Sequence, residues 1–270
     1  MISAMKCSRW HLERFWAAWV IGCVMGLTSC KAPYVSTTFT SLQCKYGAHE
    51  AGTLLADGDR LMAQRKFREA IMAYQAAIRI DSSFCDAYHR LGTAYIRAGE
   101  LPQAIYLYSQ ADRKFPGEAL FKFNQARLWL SVNKPDTALH YYRQMIQVDP
   151  TNYQGYYGSS VALNMLSRTA DALEYLARGQ QYDRFITPEI VFYEGILYYK
   201  AGQYSRALGL FQQVQRYFYR DPSMNYYLGM SYYQKGGRAL KRARRYLLVA
   251  VRQGMSVDRE TLQKLGISTE

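Results

Sequence analysis

The chain has 270 residues, 49% of them hydrophobic, and a formal charge of +13 from 34 Lys and Arg against 21 Asp and Glu. That is enough for one elongated domain of about 240 residues with a continuous core once an N-terminal address is removed. Four histidines and five cysteines stand in no HExxH or CxxC spacing, and no G-x-S-x-G or phosphate-binding glycine loop occurs, so the common hydrolytic, redox and nucleotide chemistries are excluded.

The first thirty residues read as an address. Lys6, Arg9 and Arg14 precede a thirteen-residue apolar run over 15–27, which ends in Leu27-Thr28-Ser29-Cys30. A basic start, a short apolar stretch and small residues before a cut describe a secretory signal peptide. An uncleaved anchor is the alternative, but the run is short of the roughly 20 residues a spanning helix needs. The ending resembles a bacterial lipobox. That resemblance implies that residues 1–29 are removed and that Cys30 is lipidated as the first residue of the mature chain. Lys31, a non-acidic residue after the cysteine, is similar to the sorting signal for the outer membrane of Gram-negative bacteria. Residues 30–50 are rich in Thr, Ser and other polar residues without helical period, and read as a tether. Export argues against nucleic acid as the partner of the basic chain.

From residue 51 onward small and aromatic positions recur every 34 residues. In the segments 51–84, 85–118 and 119–152, position 8 is Gly58, Gly92 and Ala126, and position 11 is Leu61, Tyr95 and Trp129. Position 20 is Ala70, Ala104 and Ala138, position 24 is Tyr74, Tyr108 and Tyr142, and position 32 is Ser82, Pro116 and Pro150. Each segment carries two stretches with apolar residues at helical spacing, separated by a turn such as Arg97-Ala98-Gly99-Glu100-Leu101. A weaker fourth segment covers 153–186 (Ser160, Leu163, Ala172, Leu176), a fifth begins near Pro188 (Gly195, Tyr198, Ala207, Phe211), and a sixth near Pro222 (Leu228, Gly229, Tyr232). The sixth keeps register only if its Gly236-Gly237 turn is two residues longer, which brings Ala243, Leu247 and Ala250 into the small and large slots.

This pattern resembles the tetratricopeptide repeat, a helix–turn–helix unit. The resemblance covers about residues 51–254 and implies an all-α, right-handed superhelical solenoid of about six units, closed by a C-terminal capping helix within 255–270. Leu262 and Leu265 are expected to face back onto the sixth unit. The first unit is less well protected, because Asp57 stands where the family has an apolar residue.

In this family the first helix of each unit lines a concave groove. Carried onto this chain, the groove is His89, Thr93, Ile96 and Arg97, then Phe123, Arg127 and Leu130, then Tyr157, Val161 and Asn164. Further along it is Phe192, Ile196, Tyr199 and Lys200, then Tyr226, Met230 and Tyr233. Such a lining suits a peptide or protein segment with apolar anchors. The alternative is that many of the 25 tyrosines simply pack between helices. The carboxylate clamp of some family members is absent, since its slots hold Leu55, Asp59, His89 and Thr93. His89 reads as a contact residue, and Asp57 and Asp59 do not share a helix face, so no catalytic group, metal site or cofactor is expected.

Two features stand apart from the repeat. Between residues 222 and 257 there is no acid, but Lys235, Arg238, Lys241, Arg242, Arg244, Arg245 and Arg252 are present. This is either a solvated outer helix face or a contact for phospholipid headgroups or an acidic partner. Cys44 and Cys85 are taken as two independent residues with Cys85 packed, although an exported compartment also permits a disulfide between them.

The expected function is that of a non-catalytic scaffold, anchored by lipid in a bacterial envelope, in the outer membrane facing the periplasm, and binding protein or peptide in its groove. Its plan is similar to the repeat lipoproteins of outer-membrane barrel assembly and to the pilotins of type IV pili. The alternatives are a structural or multimerising component acting through the basic end, and a regulatory subunit of an envelope enzyme.

Overall fold

The computed structural model describes residues 48–182 and 187–268, so the signal segment, Cys30 and most of the tether lie outside the described residues. Among the described residues there are thirteen α-helices, two short 3-10 turns and no strand. The chain divides into two compact units, the first ending at Leu166 and the second beginning at Ser167.

The first unit contains α1 (His49–Ala63), α2 (Phe67–Ile80), α3 (Cys85–Ala98), α4 (Leu101–Lys114), α5 (Ala119–Ser131), α6 (Pro135–Val148) and α7 (Tyr153–Met165). The second contains α8 (Thr169–Gln180), α9 (Pro188–Lys200), α10 (Tyr204–Val214), α11 (Pro222–Lys235), α12 (Leu240–Arg252) and α13 (Arg259–Lys264). Its 3-10 turns are Gln215–Tyr217 and Gly237–Ala239. Within each unit successive helices pack on one another, and the first helices of neighbouring pairs also touch, α5 on α7 and α9 on α11.

The period follows from one close approach. Gly58 and Gly92 are buried, and a Cβ at either would come within 3.0 Å of the ring of Tyr74 or Tyr108. Gly195 stands in the same relation to Phe211, and Gly229 to Leu247. The large side chain therefore fills the space that the absent Cβ leaves, and Tyr74, Tyr108 and Phe211 are fully buried there. Repeat 3 differs: its small residue is Ala126, and the ring of Tyr142 lies over Gly158 of α7 instead. Leu247 confirms the longer turn of the sixth repeat, where Gly236 and Gly237 both have positive φ.

The turn inside each repeat is equally regular. Its fifteenth residue has a positive φ in all six: Arg65, Gly99, Asn133, Ser167, Gly202 and Gly236. In four of these turns the next amide donates five residues back, as in Glu100 N to Tyr95 O at 2.8 Å and Lys134 N to Trp129 O at 2.8 Å. This closes the first helix with a Schellman-type cap. Glycine takes that conformation without strain; Arg65, Asn133 and Ser167 do not.

The C-terminal helix α13 is capped by Asp258, which accepts from Thr261 N at 2.8 Å. Leu262, Leu265 and Ile267 are buried. Arg244 of α12 donates to the carbonyls of Leu265 (2.9 Å) and Gly266 (3.2 Å), which ties the cap to the last repeat. Asp57 is exposed and paired with Arg60 at 2.9 Å on the outside of α1. Cys85, 3% exposed, is disulfide-bonded, which corrects the reading of it as an independent packed thiol; its partner lies outside the described residues.

Gly92→Ala should destabilise the chain by about 2–3 kcal/mol, because the ring of Tyr108 has no room to yield. Gly52→Ala, where a Cβ meets nothing within 4 Å, should be neutral or stabilise by about 0.5–1 kcal/mol. Thermal unfolding of the two variants checks the pair.

Candidate binding surface

In the first unit the expected groove residues stand on α3, α5 and α7. Phe123, Tyr157 and Asn164 are buried, His89 and Arg127 are half-buried, and Arg97 is exposed. The structure brings His89, Phe123 and Arg127 together through a residue the sequence reading missed. Asn124 Nδ2 lies 3.0 Å from His89 Nδ1 and joins α5 to α3. The Arg127 guanidinium lies over the Phe123 ring at 5.5 Å, and Phe123 meets Tyr142 edge-on at 6.2 Å. The only signal for Asn124 was an amide beside groove position 5, at Phe123.

Framework tyrosines reach the same side. Tyr74 donates its hydroxyl to Asp59 at 2.7 Å, and Arg90 donates to the other oxygen of that carboxylate at 2.7 Å. Tyr108 donates to the His89 carbonyl at 3.3 Å. Burial and the bond to Asp59 push the Tyr74 phenol far above its ordinary value. His89 moves the other way: desolvation pushes it down to about 4, Arg90 and Arg127 add to the fall, and Asp86 opposes it. The imidazole is therefore neutral near pH 7, and suits hydrogen bonding rather than charge pairing.

The second unit carries an aromatic surface with a clear depth order. Phe192 is fully buried, with ring centroids at 4.9 Å from Phe218, 5.6 Å from Phe211 and 6.2 Å from Tyr227. Tyr227 in turn touches Tyr199 at 5.4 Å and Tyr226 at 5.3 Å, both half-buried. Tyr204 flanks Tyr199 at 5.6 Å. Phe192 is thus the support, and Tyr199 and Tyr226 are the face. Burial, with Tyr226, Tyr204 and Asp258 nearby, pushes Tyr199 up to about 12, so its hydroxyl stays protonated. Tyr226 is raised by burial and by Asp258. Tyr233, also half-buried, lies near Lys264 of α13, whose ammonium is raised chiefly by Glu260. Asp258 and Lys264 are therefore charged neighbours of this face that the sequence reading did not place there.

The basic residues Arg238, Lys241, Arg242, Arg244 and Arg245 are all exposed. Arg244 is engaged with the cap, and Arg242 lies over the Tyr232 ring at 5.6 Å. No group of three or more His, Cys, Asp or Glu among the described residues could hold a metal, and none of the described helices is long and apolar enough to cross a membrane.

Comparison with known families agrees with this geometry. A model described as TPR repeat matches residues 58–99, and one described as Tetratricopeptide repeat matches residues 123–184 and 194–257. The chain is built of tetratricopeptide repeats. Mouse Tetratricopeptide repeat protein 8 is 27% identical over 88 residues, which are 33% of this chain and 17% of the mouse protein's length. The fold is similar to that of a tetratricopeptide repeat protein from Parabacteroides merdae (TM-score 0.60, 15% identity, 81% of this chain and 98% of that one). It is also similar to a chain in the structure of the APC/C hetero-tetramer Cut9–Hcn1 (TM-score 0.62, 17% identity, 80% of this chain and 42% of that one). Tetratricopeptide repeats are in general protein-interaction scaffolds.

The depressed His89 value gives a pH signature. The unfolded chain takes up a proton near the ordinary 6.5, whereas the folded chain resists it down to about 4. Stability from this group is complete above about pH 7 and falls as the pH drops through that interval, by about 1–2 kcal/mol at about pH 5. His89→Gln should remove that slope, which unfolding midpoints measured across the interval will show.

Proposed function

We propose that this chain is a non-catalytic adaptor, anchored to a bacterial envelope membrane through lipidated Cys30, that holds a protein or peptide segment on the concave side of its repeats. The observation that carries the reading is the aromatic face of the second unit. Tyr199 and Tyr226 present ring surface and protonated hydroxyls, Tyr227 and Phe192 hold them from behind, and Asp258 and Lys264 stand beside them. Rigid aromatic area with polar tips gives contact at low entropy cost, as protein-binding surfaces use it. The first unit, taken by itself, offers a neutral His89–Asn124 pair for hydrogen bonding and an Arg127–Phe123 stack. The Cut9–Hcn1 structure is itself a hetero-tetramer, which fits a scaffold role for this kind of fold. A disulfide-bonded Cys85 suits an oxidising compartment and thus export.

Tyr199→Ala with Tyr226→Ala should weaken partner binding about 30-fold or more, at about 1–2 kcal/mol for each ring. The matched Phe variants should keep most of the affinity. In-cell crosslinking with mass spectrometry identifies the partner, and titration against it measures the loss. Undiminished binding by a double Ala variant with intact helicity removes the groove assignment.

Lipid anchoring has its own test. Cys30→Ala should abolish fatty-acid labelling and shift the chain out of the membrane fraction. Labelling that persists in the variant would sink that part of the reading.

A further inference from the structure

We propose that the outer face of α12, together with the adjoining 3-10 turn, docks on an anionic phospholipid bilayer. The helix is divided sharply. Ala243, Leu247 and Ala250 are fully buried, with Leu247 seated at Gly229 of α11. On the opposite side Lys241, Arg245 and Arg252 run in one line along the helix, flanked by Arg242, and all four are exposed. No ion pair among the described residues involves any of them. No acid occurs between residues 222 and 257.

A second observation selects a bilayer over an acidic protein. The turn Gln215–Tyr217 is joined to α12 by Gln215, whose amide donates to the Tyr246 hydroxyl at 3.3 Å. It presents Tyr217 and, just beyond, Tyr219, which are 39% and 64% exposed. Each carries an arginine over its ring, Arg216 at 4.7 Å and Arg220 at 5.1 Å. Val249 of α12 is 38% exposed as well. Exposed tyrosines and an aliphatic side chain beside arginines match the headgroup layer, where rings lie at the interface and guanidinium groups meet phosphate. This inference is independent of the groove: Tyr199 and Tyr226 take no part in it.

The test uses the full chain and vesicle co-sedimentation. Because an N-terminal lipid or apolar anchor would bind both kinds of vesicle alike, the readout is the ratio of binding to phosphatidylglycerol-containing vesicles over pure phosphatidylcholine vesicles. Four basic side chains give the wild type a ratio on the order of several hundred at low salt, falling steeply as salt rises. Lys241→Gln with Arg245→Gln should lower it about 30-fold, and Tyr217→Ser with Tyr219→Ser should lower binding to the anionic vesicles several-fold, both with an unchanged unfolding midpoint. A ratio near one for the wild type, or an unchanged ratio in the Gln variant, overturns the proposal. So does a wild type that ignores the anionic vesicles but binds polyglutamate or a nucleic-acid duplex through the same residues.

Discussion

Two helices close most tightly over a buried aromatic ring where the facing backbone carries no Cβ. That constraint sets the repeat. At Gly58, Gly92 and Gly195 the ring of the second helix occupies the volume a methyl group would need. Close packing of this kind leaves no slack, since interiors are as dense as organic crystals. It fixes the distance and the rotation between paired helices together, and with them the side from which groove residues project.

The same rings wire the core to the candidate surface. Tyr74 ends on Asp59, which Arg90 of the next repeat also holds, and Tyr108 ends on the backbone of His89. A framework side chain that is fully buried along its ring thus delivers its one polar atom to the helix face that would meet a guest. In the second unit the order is similar but apolar: Phe192 supports Tyr227, and Tyr227 supports Tyr199 and Tyr226. Binding geometry in such a molecule is inherited from the packing beneath it.

The helix pairs were legible in the sequence because small residues and large rings recur at a fixed spacing, as Gly58 with Tyr74, Gly92 with Tyr108 and Gly195 with Phe211 do. The longer turn at Gly236-Gly237 was legible for the same reason, since only the added residues bring Leu247 opposite Gly229. What escaped depended on phase and on distance in sequence. Phe192 and Tyr199 were both expected in the groove, yet Phe192 is fully buried beneath it and Tyr199 is half-buried on the face. Asn124 and His89 meet across 35 residues, so neither announces the other. The positive-φ turns at Arg65 and Ser167 were hidden because those side chains give no hint of a conformation that Gly99, Gly202 and, more weakly, Asn133 advertise.

Repeat 3 breaks a pattern that others keep. Tyr74 and Tyr108 each rest on a glycine of their own helix pair, but Tyr142 rests on Gly158, which belongs to the pair that follows. Such a ring adds to the contacts that join neighbouring pairs, as the Tyr108–Phe121 pair at 6.2 Å does one repeat earlier. Melting of α7 would uncover Tyr142 and so cost α6 part of its core, which couples α6 and α7 into one cooperative block.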